Sequence, residues 1–455
     1  MNIHFIAIGG AIMHSLAIAL KHKGYQITGS DDKIADPALT NLKREGILPE
    51  AIGFYPEKIG RHLDAVILGM HARIDNPELL KAQELGIPVF SFPQYVYEVS
   101  KNKKRIVIAG SHGKTTITSM VMHVLQATGM EIDYIVGAKV KGFESGVRLS
   151  ESAKIIVIEG DEYLASPVER ESKFMFYHPH IALISGVAWD HINVFPVYEG
   201  YVNQFARFAA TVADDGVITY YGHDPELQKI ASEYSGKAHL IPYDTAPYEI
   251  QDGITYLQTS EGHVPLHVFG KHNMQNIAGA REVCLAAGVS MEAFNRHIAS
   301  FEGAANRLQL LDKNRQTAVY KDFAHAPSKL KATVQAMTEQ YPERRLVAVM
   351  ELHTFSSLNR DFLTEYHGSM NACDRAILFL DKEAMALKQM ATPERELLLD
   401  AFGNSKIEIY YEMEALEAAL RNEVWPGSNL LLMTSGTFGG MNLNALAAGI
   451  CKHSA

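Results

Sequence analysis

The sequence predicts an α/β protein of three domains. Short apolar strands alternate with helical segments towards both ends of the chain, the pattern of parallel sheets covered by helices. Between them, Arg105–Thr116 reads RIVIAGSHGKTT, a strand, a glycine turn, Lys-Thr and the start of a helix. The length, 455 residues, suits three such units better than one.

The first hundred residues read as strand–helix repeats. Ile3–Ile8 is an apolar strand, Gly9-Gly10 a turn, and Met13–Lys23 a helix stopped at Gly24. Gln26–Gly29 is a second strand closed by Ser30-Asp31-Asp32, and Ala65–Gly69 and Val89–Ser91 are further strands. The polar run Ser100–Lys104 reads as a linker. Beyond it lie strands at Tyr134–Val136, Ile155–Ile158 and Ile181–Ser185, a helix at Val197–Thr211, and strands at Gly216–Tyr220 and Ala238–Pro242. Gly253–Val268 has hairpin character, and Met274–Ala287 is helical. After a boundary at 301–306 the alternation returns, with strands at Thr317–Lys321, Arg345–Met350, Ala376–Leu380 and Leu430–Thr434 and a helix at Ser328–Gln340. The expected domains are 1–102, 103–304 and 305–455.

Residues 105–116 carry the chemistry. A buried strand that ends in a glycine turn at a helix N-terminus aims backbone N–H groups at an anion. Lys114 adds a mobile positive charge, exposed in the empty loop, and the Thr115 hydroxyl suits Mg²⁺. This is a phosphate cradle, and it predicts ATP. Only Ser111 and His112 separate Gly110 from Gly113, whereas the general pattern has four residues there. The alternative is an ordinary glycine turn.

Composition narrows the partners. The net charge is −10 without a long basic run, which disfavours nucleic acid. No apolar stretch approaches the ~20 residues of a membrane span, and Met1–Gly10 opens straight into a strand without a basic leader. Three widely spaced cysteines (Cys284, Cys373 and Cys451) form neither a disulfide framework nor a metal pattern. A cytoplasmic protein is expected.

Further candidates sit after predicted strands, where open α/β sheets bind ligands. Ile155–Glu162 reads IIVIEGDE, and Glu159 suits a hard cation, with Asp161 and Glu162 behind it. Ala188–Asn193 reads AWDHIN, which makes His191 a candidate for a second metal site or an ordinary surface histidine. Gly270–Asn276 reads GKHNMQN. Its asparagines could read an adenine edge or cap a helix, and chemistry alone favours the cap.

These motifs together resemble the Mur ligase family, the ATP-dependent amide-forming enzymes of bacterial cell-wall synthesis. The resemblance covers essentially the whole chain. It is carried by GSHGKTT (Gly110–Thr116), EGDE (Glu159–Glu162), Asp190-His191, GKHNMQN, Asn306-Arg307 and DFAHAP (Asp322–Pro327). It implies a Rossmann-like N-terminal domain for a UDP-sugar, a central P-loop ATPase-like domain for ATP and Mg²⁺, and a Rossmann-like C-terminal domain for the amino compound. The implied partners are UDP-N-acetylmuramate and an amino acid or short peptide, and the implied assembly is a monomer or homodimer.

The resemblance also implies roles residue by residue. Lys114, His191 and Arg307 would be catalytic. Gly110, Ser111, His112, Gly113, Lys114, Thr115, Thr116, Asn273, Asn276, Arg307, Asp322 and His325 would hold the nucleotide. Thr115, Glu159 and His191 would hold metal. Gly9, Gly10, Ser30, Asp31 and His71 would hold the UDP-sugar, and Ser435 and Phe438 the acceptor. Phe438 would pack on a peptide stem, or SGTFGG (Ser435–Gly440) would be simply a tight turn.

Within the family, SKFMFY (Ser172–Tyr177), DFAHAP and SGTFGG resemble the branch with a short-peptide acceptor more than the branch with a single amino acid. Ala7 and Ile12 stand where the family usually has glycines, and Glu351–Arg360 departs from both branches. Val187–Thr211 contains no lysine, so a second cation would bind without the carbamylated lysine of several relatives.

Overall fold

The strand–helix alternation builds four sheets in the computed structural model, which describes residues 1–138, 140–189, 194–354, 356–387 and 392–453. The first sheet is parallel, with strands β1 (Asn2–Ile6), β2 (Gln26–Ser30), β3 (Ala65–Leu68) and β4 (Val89–Ser91) in the order β2-β1-β3-β4. Strand β1 stops two residues earlier than expected. Ala7 takes φ +65°, and the amides of Ala7 and Ile8 turn onto the Ser30 carbonyl at 2.9 and 3.2 Å.

The second sheet has seven strands: β5 (Lys104–Ala109), β6 (Ile132–Ile135), β7 (Val147–Arg148), β8 (Ile155–Glu159), β9 (Ile181–Ile184), β10 (Val217–Tyr221) and β11 (His239–Tyr243). Their order is β11-β10-β9-β5-β8-β6-β7, parallel except for β6–β7. Strand β5 therefore lies between β8 and β9, and the loop after it opens between two strand ends. The expected hairpin at Gly253–Val268 forms as β13 (Ile254–Thr259) and β14 (Gly262–Leu266), and a third antiparallel strand, β12 (Tyr248–Gln251), precedes it and pairs with β13.

The last sheet comprises β15 (Gln309–Lys313), β16 (Ala318–Asp322), β17 (Arg345–Glu351), β18 (Arg375–Phe379), β19 (Glu408–Tyr410) and β20 (Ser428–Met433). The order is β15-β16-β20-β17-β18-β19, with only β15 antiparallel. Successive side chains alternate faces. Tyr320, Leu346, Leu431 and Met433 enter one core, and Val319, Val347, Leu430 and Leu432 enter the other.

The described chain groups into two compact units, one of residues 1–189, 194–244 and 276–298, the other of 245–275 and the described residues from 299 onward. In the first unit, one apolar core runs through both sheets. Phe5, Leu16 and Leu20 belong to the same buried cluster as Val107, Ile156, Phe205 and Phe208.

The run read as a linker is pinned. The helix Phe92–Ser100 leads almost directly into β5, and Arg105 is 7% exposed. Its Nε donates to the Tyr177 and His178 carbonyls at 2.8 and 3.0 Å, and its Nη1 to those of Ser100, Lys101 and Lys103 at 3.0 to 3.2 Å. Burial lowers its pKa from the ordinary arginine value. Arg105→Met strands these carbonyls in a dry interior and should destabilise the first unit by about 2–4 kcal/mol. Calorimetry of the whole chain reads this as a fall in its lowest transition, and an unchanged transition would remove Arg105 from this role.

Candidate active site

The phosphate loop is built as its sequence requires. Gly110 has φ +123°, and a Cβ there would collide with Ser185; Gly113, at φ +72°, abuts Asn276 in the same way. Only glycine fits either position. The loop is tied to the strand beside it, with Ser111 N donating to Gly186 O at 2.9 Å and the Ser185 hydroxyl to His112 O. The helix Lys114–Ala127 starts directly after Gly113, with Thr115 and Thr116 buried in its first turn.

Strand register brings the acids to the loop. Ile108 of β5 pairs with Glu159 of β8, so Glu159 stands beside the strand that feeds the turn. Thr115 Oγ1 donates to Glu159 Oε1 at 2.5 Å, and Gly137 N donates to Oε2 at 2.7 Å. Thr115 and Glu159, expected at one Mg²⁺, do meet. A hydroxyl and a carboxylate are the hard oxygen donors that Mg²⁺ takes, so the pair fits the ion. Among the described residues, no group of three or more His, Cys, Asp or Glu converges as a metal site. A cation here would complete its shell with water and phosphate oxygens. His191 lies outside the described residues.

Lys114 corrects one expectation. Its side chain is only 15% exposed, because Nζ donates to Gly110 O at 2.7 Å and pairs with Glu162 Oε2 at 2.7 Å. Glu162 is fully buried. Burial works against the charged lysine, yet Glu162, Asp161 and Glu159 outweigh it and raise the Lys114 pKa. Asp161 in turn pairs with Lys173 at 2.6 Å; against the cost of burial, Lys173 and Lys114 draw its carboxyl down to about 2. Lys173 belongs to SKFMFY, and its amide donates to Tyr163 O at 2.8 Å, so that segment is fastened onto EGDEY.

Sequence reasoning missed Glu162 as a partner of Lys114, and missed Tyr201 altogether. Tyr201 lies on the helix Tyr198–Ala209, and its hydroxyl meets Ser111 Oγ at 2.8 Å and Glu162 Oε1 at 3.2 Å. Tyrosine at a core position of an amphipathic helix carries no signal that its hydroxyl is used.

In the first sheet, Gly9 N donates to Asp31 Oδ2 at 2.6 Å, and a Cβ on Gly9 would lie 2.9 Å from that oxygen. Burial raises the Asp31 pKa. Gly10 precedes the helix Met13–His22, Lys58 Nζ reaches Ser30 Oγ at 3.2 Å, and His71 is exposed on the turn after β3. The loop thus brings Gly9, Ser30 and Asp31 together.

In the second unit, Asn273 lies inside the helix Lys271–Ala286, which starts earlier than expected, and its Nδ2 donates back to Phe269 O at 2.9 Å. An N-cap flanks the first helical residue, whereas Asn273 and Asn276 both lie inside the helix, so the capping reading fails for both. Asn276 instead packs on Gly113 within the first unit. Arg307 stacks on Phe323 at 4.4 Å. Asp322 accepts Leu308 N at 2.9 Å and Thr333 Oγ1 at 2.6 Å, while His325 Nδ1 bonds Phe323 O at 2.9 Å.

Phe438 is fully buried, in the core with Phe379 at 6.0 Å between centroids, and has no free face for a peptide stem. Ser435 remains at the surface of its loop, 3.4 Å from His353 Nε2. Buried Glu351 organises that loop by accepting Phe438 N at 3.0 Å and the Thr434 hydroxyl.

A parallel sheet with a phosphate loop at its centre and acids on the neighbouring strand defines an α/β enzyme that handles nucleoside triphosphates. Family profiles carry the assignment further. "Mur ligase family, catalytic domain" matches residues 2–104, "Mur ligase middle domain" 108–284, and "Mur ligase, glutamate ligase domain" 306–436. The chain belongs to the Mur ligase family, whose members are ATP-dependent amide ligases of peptidoglycan synthesis.

The UDP-N-acetylmuramate–L-alanine ligase of Carboxydothermus hydrogenoformans is 31% identical over 78% of this chain and 77% of its own. The solved murein peptide ligase of Psychrobacter arcticus has a TM-score of 0.68 at 22% identity, covering 99% of both chains. The UDP-N-acetylmuramate–alanine ligase of Thermotoga maritima has a TM-score of 0.73 at 17% identity, covering 100% of this chain and 99% of its own. These two structures establish likeness of fold.

Two outcomes test the site. Lys114→Met combined with Glu162→Gln leaves no lone buried charge, so the double variant should fold while phosphate release falls about 100-fold or more. The single Lys114→Met variant should also melt lower, because buried Glu162 loses its cationic partner. Retained turnover in the double variant would sink the nucleotide assignment. Separately, Glu159→Gln still accepts from Thr115, and should raise the Mg²⁺ needed for half-maximal phosphate release about tenfold. An unchanged Mg²⁺ requirement would exclude Glu159 as a ligand.

Proposed function

We propose that this chain joins UDP-N-acetylmuramate to the free amine of L-alanyl-γ-D-glutamyl-meso-diaminopimelate, using ATP, in the recycling of cell-wall peptide in the cytoplasm. The observation that supports this acceptor is SKFMFY fastened against EGDEY, with Lys173 on Asp161 at 2.6 Å. That segment is part of the pattern that resembles the peptide-acceptor branch. DFAHAP and SGTFGG support the same reading.

The functional domains proposed are 1–102 for the UDP-sugar, 103–304 for ATP and 305–455 for the acceptor. Phe438 is buried in the core and faces no acceptor, and Ser435 with the neighbouring backbone N–H groups offers a seat for an acceptor carboxylate. Arg307, Asp322 and His325 are proposed on the nucleotide side, as are Asn273 and Asn276.

A carboxylate is a poor electrophile. Its oxygen takes the γ-phosphoryl group as ADP leaves, the acceptor amine then attacks the acyl carbon, and phosphate departs. Lys114 neutralises charge that develops on phosphoryl oxygens. Thr115 and Glu159 would hold Mg²⁺, which when bound supplies further charge neutralisation. The protein contributes no covalent nucleophile, and its work is positioning.

A second reading, with L-alanine as the acceptor, is favoured by the 31% identity to the Carboxydothermus enzyme. Phosphate release across L-alanine, dipeptide, tripeptide and tetrapeptide separates the two. The tripeptide should be preferred by about tenfold or more, because polar groups built for a long acceptor stay unpaired around a short one. A tenfold preference for L-alanine would establish the second reading instead.

A further inference from the structure

Lys114 has three N–H donors. One meets Gly110 O and one meets Glu162, both at 2.7 Å, which leaves one direction for a ligand oxygen. The aim of the lysine therefore depends on where Glu162 is held. Glu162 is fully buried, and its other oxygen faces the Tyr201 hydroxyl at 3.2 Å. Tyr201 OH meets Ser111 Oγ at 2.8 Å, and Ala188 N donates to Ser111 Oγ at 2.9 Å.

The two ends set the polarity of this chain. An amide can only donate and a carboxylate only accept. Ala188 N–H therefore donates to Ser111, Ser111 to Tyr201, Tyr201 to Glu162, and Lys114 donates to the same carboxylate from the other side. Ser111 and Tyr201 are 2% and 0% exposed, so water does not compete. Hydrogen-bonded chains in a dry interior polarise one another.

We infer that Tyr201 is a positioning residue for the phosphoryl-transfer step, holding Glu162 so that Lys114 keeps one N–H aimed at the transferring phosphate. The same relay ties the lysine to the backbone at Ala188, the residue that leads into Trp189 and the Asp190-His191 motif. This inference rests on the nucleotide reading of the loop. Tyr201 differs from a mere packing residue in one respect: its ring is held by Phe195 and Phe205 at 5.5 and 5.3 Å, while only its hydroxyl enters the relay.

Tyr201→Phe removes the hydroxyl and keeps the ring. The test measures phosphate release from the full chain, with ATP varied against saturating UDP-N-acetylmuramate and the preferred acceptor. The expected result is a kcat about tenfold lower or more, with the KM for ATP changed by less than about threefold, because a lysine aimed wrongly is felt in the transition state. Ser111→Ala should lower kcat similarly, and the double variant should be little worse than either, since both break one chain. An unchanged kcat with a lowered melting temperature would overturn the inference, as would effects that multiply in the double variant. If Lys114→Met with Glu162→Gln abolishes turnover while Tyr201→Phe does not, the relay alone is wrong. If that pair retains turnover, the nucleotide reading itself has failed.

Discussion

A carboxylate in a dry interior must be paired. Glu162, at 0% exposure, is the constraint around which this site is arranged. Desolvating such a group costs several kcal/mol, and only close partners offset it. Lys114 and Tyr201 are those partners, and each comes from a different helix. The parallel register of β5 and β8 is equally strict. A slip of one residue would turn Glu159 to the opposite face of the sheet and separate it from Thr115. The loop, the strand-end acids and the helix Tyr198–Ala209 thus form one electrostatic arrangement.

Much of this was legible because it is local. A strand, a glycine turn and Lys-Thr occupy twelve consecutive residues of the sequence at 105–116, and β5 with its helix follows that reading closely. The meeting of Thr115 and Glu159 needed one step more, the rule that ligand groups gather at the carboxyl ends of adjacent parallel strands. What escaped was non-local. Nothing near Tyr201 announces a hydroxyl bonded to a residue 39 positions away. Arg105 directly follows a polar stretch that reads as a linker, and its carbonyl partners at 177 and 178 become neighbours only after folding. Phe438 was misread for the opposite reason. In a glycine-rich loop an aromatic looks free, whereas here the loop exists partly to deliver that ring into the core.

The C-terminal unit repeats a device from the first with different parts. There too a glutamate is buried: Glu351 is the last residue of β17, and its carboxylate receives donors from a glycine-containing loop on a neighbouring strand end, at Thr434 and Phe438. In the first unit the donors to the carboxylate include the ammonium of Lys114. In the second they are a hydroxyl and a backbone amide. The first arrangement suits a site where charge changes during a reaction, and the second suits a rigid frame around a polar ligand.

The continuous core beneath the first two sheets bears on how such proteins diversify. Phe5, Leu16 and Leu20 share one apolar cluster with Val107 and Phe205. The N-terminal sheet is therefore no detachable cartridge. A chimera that replaced it would also need a matching set of side chains from the central sheet, and recombination at the short run between them would cut through a packed interior. Substitutions in the loops at the strand ends leave this packing intact, whereas exchange of the whole segment does not.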